Sequence, residues 1–188
     1  DEADWLIGKG LLLGKYAASD DPAAYLRLQT MKQQTADDGA WSANIGMAQG
    51  LLAQTDTTLD SVESQLQRAL ELATQAANGT LSDANRDAIA EELSAIRDAL
   101  FGLSNTRDVR GQPLFGGATG DVAYVQAADG TISFAGTGEP SAIPIGEGTS
   151  IQGTVTGTRA FASGSSDMFA VLGLDAALAG STCAALVI

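Results

Sequence analysis

One periodicity constrains this chain more than any other feature. Trp41, Ile45, Ala48, Leu52, Thr55, Leu59, Val62, Leu66, Ala69, Ala73 and Ala76 recur at alternating steps of four and three. That is the spacing of a helix that lays a narrow seam against partner helices. No proline lies between Ala23 and Leu81, and Gly39, Gly46 and Gly50 are the glycines of that stretch before Asn78-Gly79. A helix from Pro22 to Asn78 is about 85 Å long, at a rise of ~1.5 Å per residue, against ~30 Å for a small domain. The stretch from Asp21 to Gly79 therefore predicts a rod.

The ends of that rod carry their own signals. Asp20 and Asp21 precede Pro22, which suits a first helical position because no N–H is needed there. Asp37-Asp38-Gly39 is a place for the helix to bend or loosen. Asn78-Gly79 ends it, with glycine free to take the left-handed conformation. Ser82 then caps a second helix that runs to about Asn105, with Ile89, Leu93, Ile96, Leu100 and Leu103 again stepping by four and three. The link is only a few residues, so the two helices must be antiparallel neighbours.

Beyond Gly111 the charges thin out, and short β-branched runs appear among glycines and threonines. Val122–Gln126 and Thr131–Ala135 flank Ala128-Asp129-Gly130, a hairpin signal. Ile143–Ile145, Ser150–Val155 and Arg159–Phe161 read as further strands, with Pro144 implying an edge or an irregularity. At Asp167 a third helical pattern begins with Met168, Phe169, Val171 and Leu172. The expected fold is mainly α with a small β region: an elongated helical hairpin or three-helix rod-like bundle plus a short antiparallel β domain. Three parts are expected: an irregular segment 1–18, a discontinuous helical rod of 19–113 with 167–188, and a β-rich outer domain 114–166.

Composition narrows the function. There are 23 acidic and 10 basic residues, a formal charge of −13, so nucleic acid and anionic lipid surfaces are poor partners. Histidine is absent, which removes the commonest general base and transition-metal ligand and every His-containing triad. Glu91, Glu92 and Asp98 fall on the solvent side of the helical repeat, the ordinary place for charge. Gly8-Lys9-Gly10 and Gly14-Lys15 lack the spacing of a phosphate loop. The tail from Met168 carries Asp175 and no flanking basic residues, which argues against a membrane span. No catalytic residue, cofactor or metal is expected. Tyr124, Phe134 and Phe161 are either the core of the β region or stacking rings for a glycan.

Three segments together resemble the flagellin superfamily. Ala18-Ser19-Asp20-Asp21-Pro22-Ala23-Ala24 is similar to the family's entry into its long helix. Leu66 to Thr80, with Gln67, Arg68, Glu71, Leu72, Asn78 and Gly79, is similar to its signature, and Arg86 to Asn105 continues in the same style. Gly111-Gln112-Pro113-Leu114-Phe115-Gly116-Gly117 resembles the exit from the second helix in the hook-associated protein 3 branch, the hook–filament junction proteins. The resemblance implies a non-enzymatic, extracellular structural part of the bacterial flagellum, secreted through the flagellar export apparatus without a cleaved signal. It implies as partners copies of itself in a ring, the hook-side junction protein and flagellin. The alternative is a filament flagellin or flagellin-like surface protein whose β region binds a glycan. A minor one is receptor recognition of the Gln67, Arg68, Leu72 face. Asp1–Tyr16 and Gly180–Ile188 depart from the family's pattern, so a core fragment lacking the terminal assembly segments, monomeric in solution, is expected.

Overall fold

The structure is a computed structural model that describes residues 22–77, 80–163 and 166–171. Helix α1 spans Pro22–Ala76, 55 residues, which is about 80 Å at ~1.5 Å per residue. It runs unbroken through Asp37-Asp38-Gly39, where the sequence suggests loosening. Nothing meets a Cβ built at Gly39, Gly46 or Gly50, so these glycines serve no close contact. Ala and Leu on either side hold the helix despite them. Pro22 is its first described residue; Asp20 and Asp21 lie outside the described residues, as do Asn78 and Gly79.

Helix α2 spans Asp83–Ser104 and packs against α1. Ser82 caps it as expected: its Oγ accepts the Asn85 N–H at 3.3 Å. On α2 the periodic residues Ile89, Leu93, Ile96 and Leu100 are all buried, and Leu103 packs half-buried beside them. Full burial of such side chains, at about 1.5–3 kcal/mol each, outweighs helix propensity as the reason the hairpin holds.

The seam of α1 differs from its sequence reading. The buried residues are Ala48, Leu51, Thr55, Thr58, Val62, Ala69, Leu72 and Ala76. One row, Ala48, Thr55, Val62, Ala69 and Ala76, is the row expected. The other is Leu51, Thr58 and Leu72, one residue earlier than Leu52, Leu59 and Ala73. Ile45 and Leu52 are exposed at 40% and 38%, while Trp41, Leu59 and Leu66 are half-buried. Two threonines on the rotated face are buried with their hydroxyls bonded. A threonine in a helix can return its hydroxyl to its own backbone, and Thr55 donates to the Leu51 carbonyl and Thr58 to the Gln54 carbonyl, both at 2.8 Å. Their hydroxyls are thus satisfied although the residues are buried at 5% and 6% exposure.

The chain from Arg107 onward forms the β region. Strands β1 (Tyr124–Gln126) and β2 (Ile132–Phe134) pair antiparallel, with Tyr124 opposite Phe134. Their turn closes through Ala127 N–H to Thr131 O, with Gly130 at φ +88°. Strands β3 (Ala142–Gly146) and β4 (Thr149–Gln152) form a second hairpin with an irregularity after Pro144, and β3 lies against α1. Arg159–Phe161, expected as a strand, is instead the end of a single helical turn, α3 (Gly157–Ala160), whose Phe161 N–H closes on the Gly157 carbonyl at 2.9 Å. Gly157 permits it: a Cβ there would lie 2.7 Å from the Tyr124 ring. Two-residue strands β5 (Ala162–Ser163) and β6 (Ser166–Asp167) lead to α4 (Met168–Val171). The rest of the expected third helix, from Leu172 on, lies outside the described residues, as does segment 1–18.

The β core is aromatic. Tyr124 makes edge-to-face contacts with Phe134 at 5.4 Å and Phe169 at 5.6 Å, and Phe115 meets Phe161 at 4.7 Å. Tyr124, Phe115 and Phe169 are 1% exposed or less. Of the three rings weighed for glycan stacking, Tyr124 and Phe161 are enclosed in this core and Phe134 is half-buried against it.

Candidate assembly surface

The first five turns of α1 stand exposed in the described residues. From Pro22 to Ala40 every residue is exposed except the half-buried Asp37. Leu26 and Met31 are 66% and 63% exposed, and Leu28 and Tyr25 lie beside them. The same helix is buried on one face from Ala48 to Ala76, where α2 and the β region lie on it. A helix of this length draws most of its stability from a covered apolar face, and here large apolar side chains stand exposed among the described residues.

The signature residues fall into two roles. Leu72 is buried at 2% and belongs to the hairpin core, so it offers no face to a receptor. Gln67, Arg68 and Glu71 are exposed. The Arg68 guanidinium donates to Glu92 of α2 at 2.7 Å and to Glu71 at 3.1 Å; these hydrogen bonds, Glu92 first, hold its proton more tightly than in a free arginine. Gln67 donates to Glu63 at 3.0 Å.

Between the helices and the β region lies a polar joint that sequence reasoning missed. Asn105 ends α2, and its amide then bonds the β1 segment. Its Oδ1 accepts the N–H groups of Ala123 (3.0 Å) and Tyr124 (2.9 Å), and its Nδ2 donates to the Tyr124 carbonyl at 3.0 Å. Gln54 donates to the Arg107 carbonyl at 2.9 Å, Asn44 to the Pro144 carbonyl at 2.7 Å, and Arg97 to the Gly130 carbonyl. The Arg107 guanidinium ties the carbonyls of Gly111, Gly120 and Asp121 together. Only Asn105 and Arg107 of these flank the point where the helical period stops, and nothing in the sequence names their main-chain partners.

Asp108 anchors the following turn. Its side chain is 2% exposed and accepts the N–H groups of Arg110 (2.8 Å) and Gln112 (2.9 Å) and the Arg110 guanidinium. Burial alone would push the carboxyl up; the Gln112 and Arg110 hydrogen bonds outweigh it and hold Asp108 below the usual carboxylate range. A cleft of about 550 Å³ opens beside it, lined by Met47, Leu51, Gln112, Ile143 and Pro144 among others. Among the described residues no cluster of three metal-ligating side chains occurs, and no helix is long and apolar enough to cross a membrane.

Comparison with known proteins agrees with this geometry. Flagellar hook-associated protein 3 of Salmonella typhimurium is 31% identical over 69% of this chain and 42% of its own length. The Escherichia coli protein of the same name is 31% identical over 62% of this chain and 38% of its own. The chain thus spans less than half the length of these relatives. The crystal structure of Xanthomonas campestris FlgL superposes with a TM-score of 0.64 at 27% identity, covering 69% of this chain and 42% of that one. The family model for the bacterial flagellin N-terminal helical region matches residues 16–119, more than half of the chain, and the chain belongs to that family.

Proposed function

We propose that this chain is a structural part of the bacterial flagellum, an adaptor between hook and filament that packs through its helices against copies of itself and against the neighbouring axial proteins. The observation that carries the reading is the stretch of α1 where Leu26, Leu28 and Met31 stand exposed around the helix, on a helix whose other end is buried on one face. Similarity to flagellar hook-associated protein 3 supports that reading. The seam residues Trp41, Ile45 and Leu52, half-buried or exposed here, then extend the contact face, while Val62, Leu66, Ile89, Leu93, Ile96 and Leu100 hold the strut straight. In this reading α1 and α2 form the rod, with 167–188 returning to it, the β region that begins at Arg107 faces outward, and the chain is exported to the cell exterior. It works by shape, with no reaction to catalyse, and the hook-side junction protein and flagellin are its axial neighbours.

The test replaces Leu26, Leu28 and Met31 with serine. The side chains are exposed, so helical melting stays unchanged. Binding to isolated hook particles, followed by electron microscopy, is expected to be lost, and cells relying on the variant should not swim. Normal incorporation of the triple variant would overturn the reading.

A further inference from the structure

We propose that Asn105 is a positioning residue: its side-chain amide closes the free edge of β1 in place of a neighbouring strand and sets the angle at which the β region leaves the helical hairpin. Tyr124 directs both its N–H and its C=O to Asn105, at 2.9 and 3.0 Å, and the preceding N–H of Ala123 shares the same oxygen. This is the two-way bonding pattern of an adjacent strand, supplied by one side chain. Asn105 is itself fixed from behind. Its own N–H returns to the Gly102 and Leu103 carbonyls at the end of α2, and its Nδ2 also reaches the Phe101 carbonyl at 3.3 Å. A group so held passes the direction of α2 to β1 with little play. Closing that edge also removes a template on which other chains could pair.

The other bonds of the joint share one property. Asn44, Gln54, Arg97 and Asn105 each donate to a main-chain carbonyl: Pro144, Arg107, Gly130 and Tyr124. The mount therefore does not read the outward side chains it carries. Val125, Gln126 and Ala128 are exposed and take no part in it. A helical rod of this kind can present different outer surfaces at the same angle. The inference stands whether or not the chain assembles at the hook.

The test labels Ala88 on α2 and Ala128 on the β1–β2 turn with spin labels, in a chain where Cys183→Ser removes the native thiol. The distance distribution is expected to be narrow in the parent and broad in Asn105→Ala. Amide exchange gives the second reading. Asn105→Ala should speed exchange at Ala123 and Tyr124 by roughly tenfold, the loss of one hydrogen bond, while Ala127 in the turn stays protected. Asn105→Asp keeps the acceptor oxygen and loses the donor. It should leave Ala123 and Tyr124 protected yet still broaden the distance, and it covers the case in which the alanine variant does not fold. Replacing Val125 and Gln126 with serine should change neither reading. An unaltered distribution in both Asn105 variants, or broadening by the Val125 and Gln126 changes, would overturn the proposal.

Discussion

Arg68 of α1 donates its Nε–H to the carboxylate of Glu92 on α2 at 2.7 Å, a bond between residues 24 apart in sequence. It ties one turn of α1 to one turn of α2, and its partners are 48% and 44% exposed. Exposed pairs contribute little because water screens them. Its value lies in register more than in stability. Arg68→Ala is expected to lower the melting temperature only slightly, with the difference vanishing at high salt, as calorimetry at two ionic strengths would show.

Leu51 and Leu52 are adjacent in sequence and opposite in consequence. Leu51 is 6% exposed and lies within the core, while Leu52 is 38% exposed. Leu51→Ala should cost about 2–5 kcal/mol, the range for a buried leucine that leaves a cavity. Leu52→Ala should cost about 1 kcal/mol or less, as most surface substitutions do. Urea denaturation of the two variants measures the difference. Equal losses would mean the seam passes between them.

How much of this was legible in the sequence follows from where period and polarity agree. On α2 every periodic residue from Ile89 to Leu100 is apolar, and each is buried. On α1 the true second row includes Thr58, so a search for apolar residues slid to the neighbouring row of Leu52 and Leu59. The 3.5-residue spacing survives that slip, which is why the long helix and the hairpin were readable while the contact face was rotated. The β1–β2 hairpin was readable because Asp129-Gly130 names its turn. The one-turn helix at Gly157–Ala160 was not, because it depends on Gly157 fitting beneath the Tyr124 ring, a contact between distant residues. The joint at Asn105 was hidden for a related reason. Side chains that bond to main-chain atoms leave no partner to recognise in the sequence.

Asp108 should give the chain a specific response to acid. Its carboxyl is held below the ordinary value near ~3.9, so its contribution is fully present above that pH and is lost as pH falls through the folded value. Asp108→Asn keeps the shape but weakens the bonds to the Gln112 and Arg110 N–H groups and to the Arg110 guanidinium. It should cost roughly 1–3 kcal/mol at neutral pH, the range for a buried, charge-assisted hydrogen bond. The gap between variant and parent should be full at neutral pH and narrow progressively as pH falls below the ordinary carboxylate value. Denaturation curves at pH 7 and pH 3 check both the size and the sign.

The central claim is that a 55-residue helix makes this chain a strut. Small-angle X-ray scattering of the purified chain tests it most directly. A compact globule of this length has a radius of gyration of about 16 Å. The strut predicts a radius well above that, with a largest dimension of about 80 Å or more, set by the helix rise. A radius near that of the globule, with a largest dimension near half the helix length, would mean that α1 folds back on itself, and it would contradict the account.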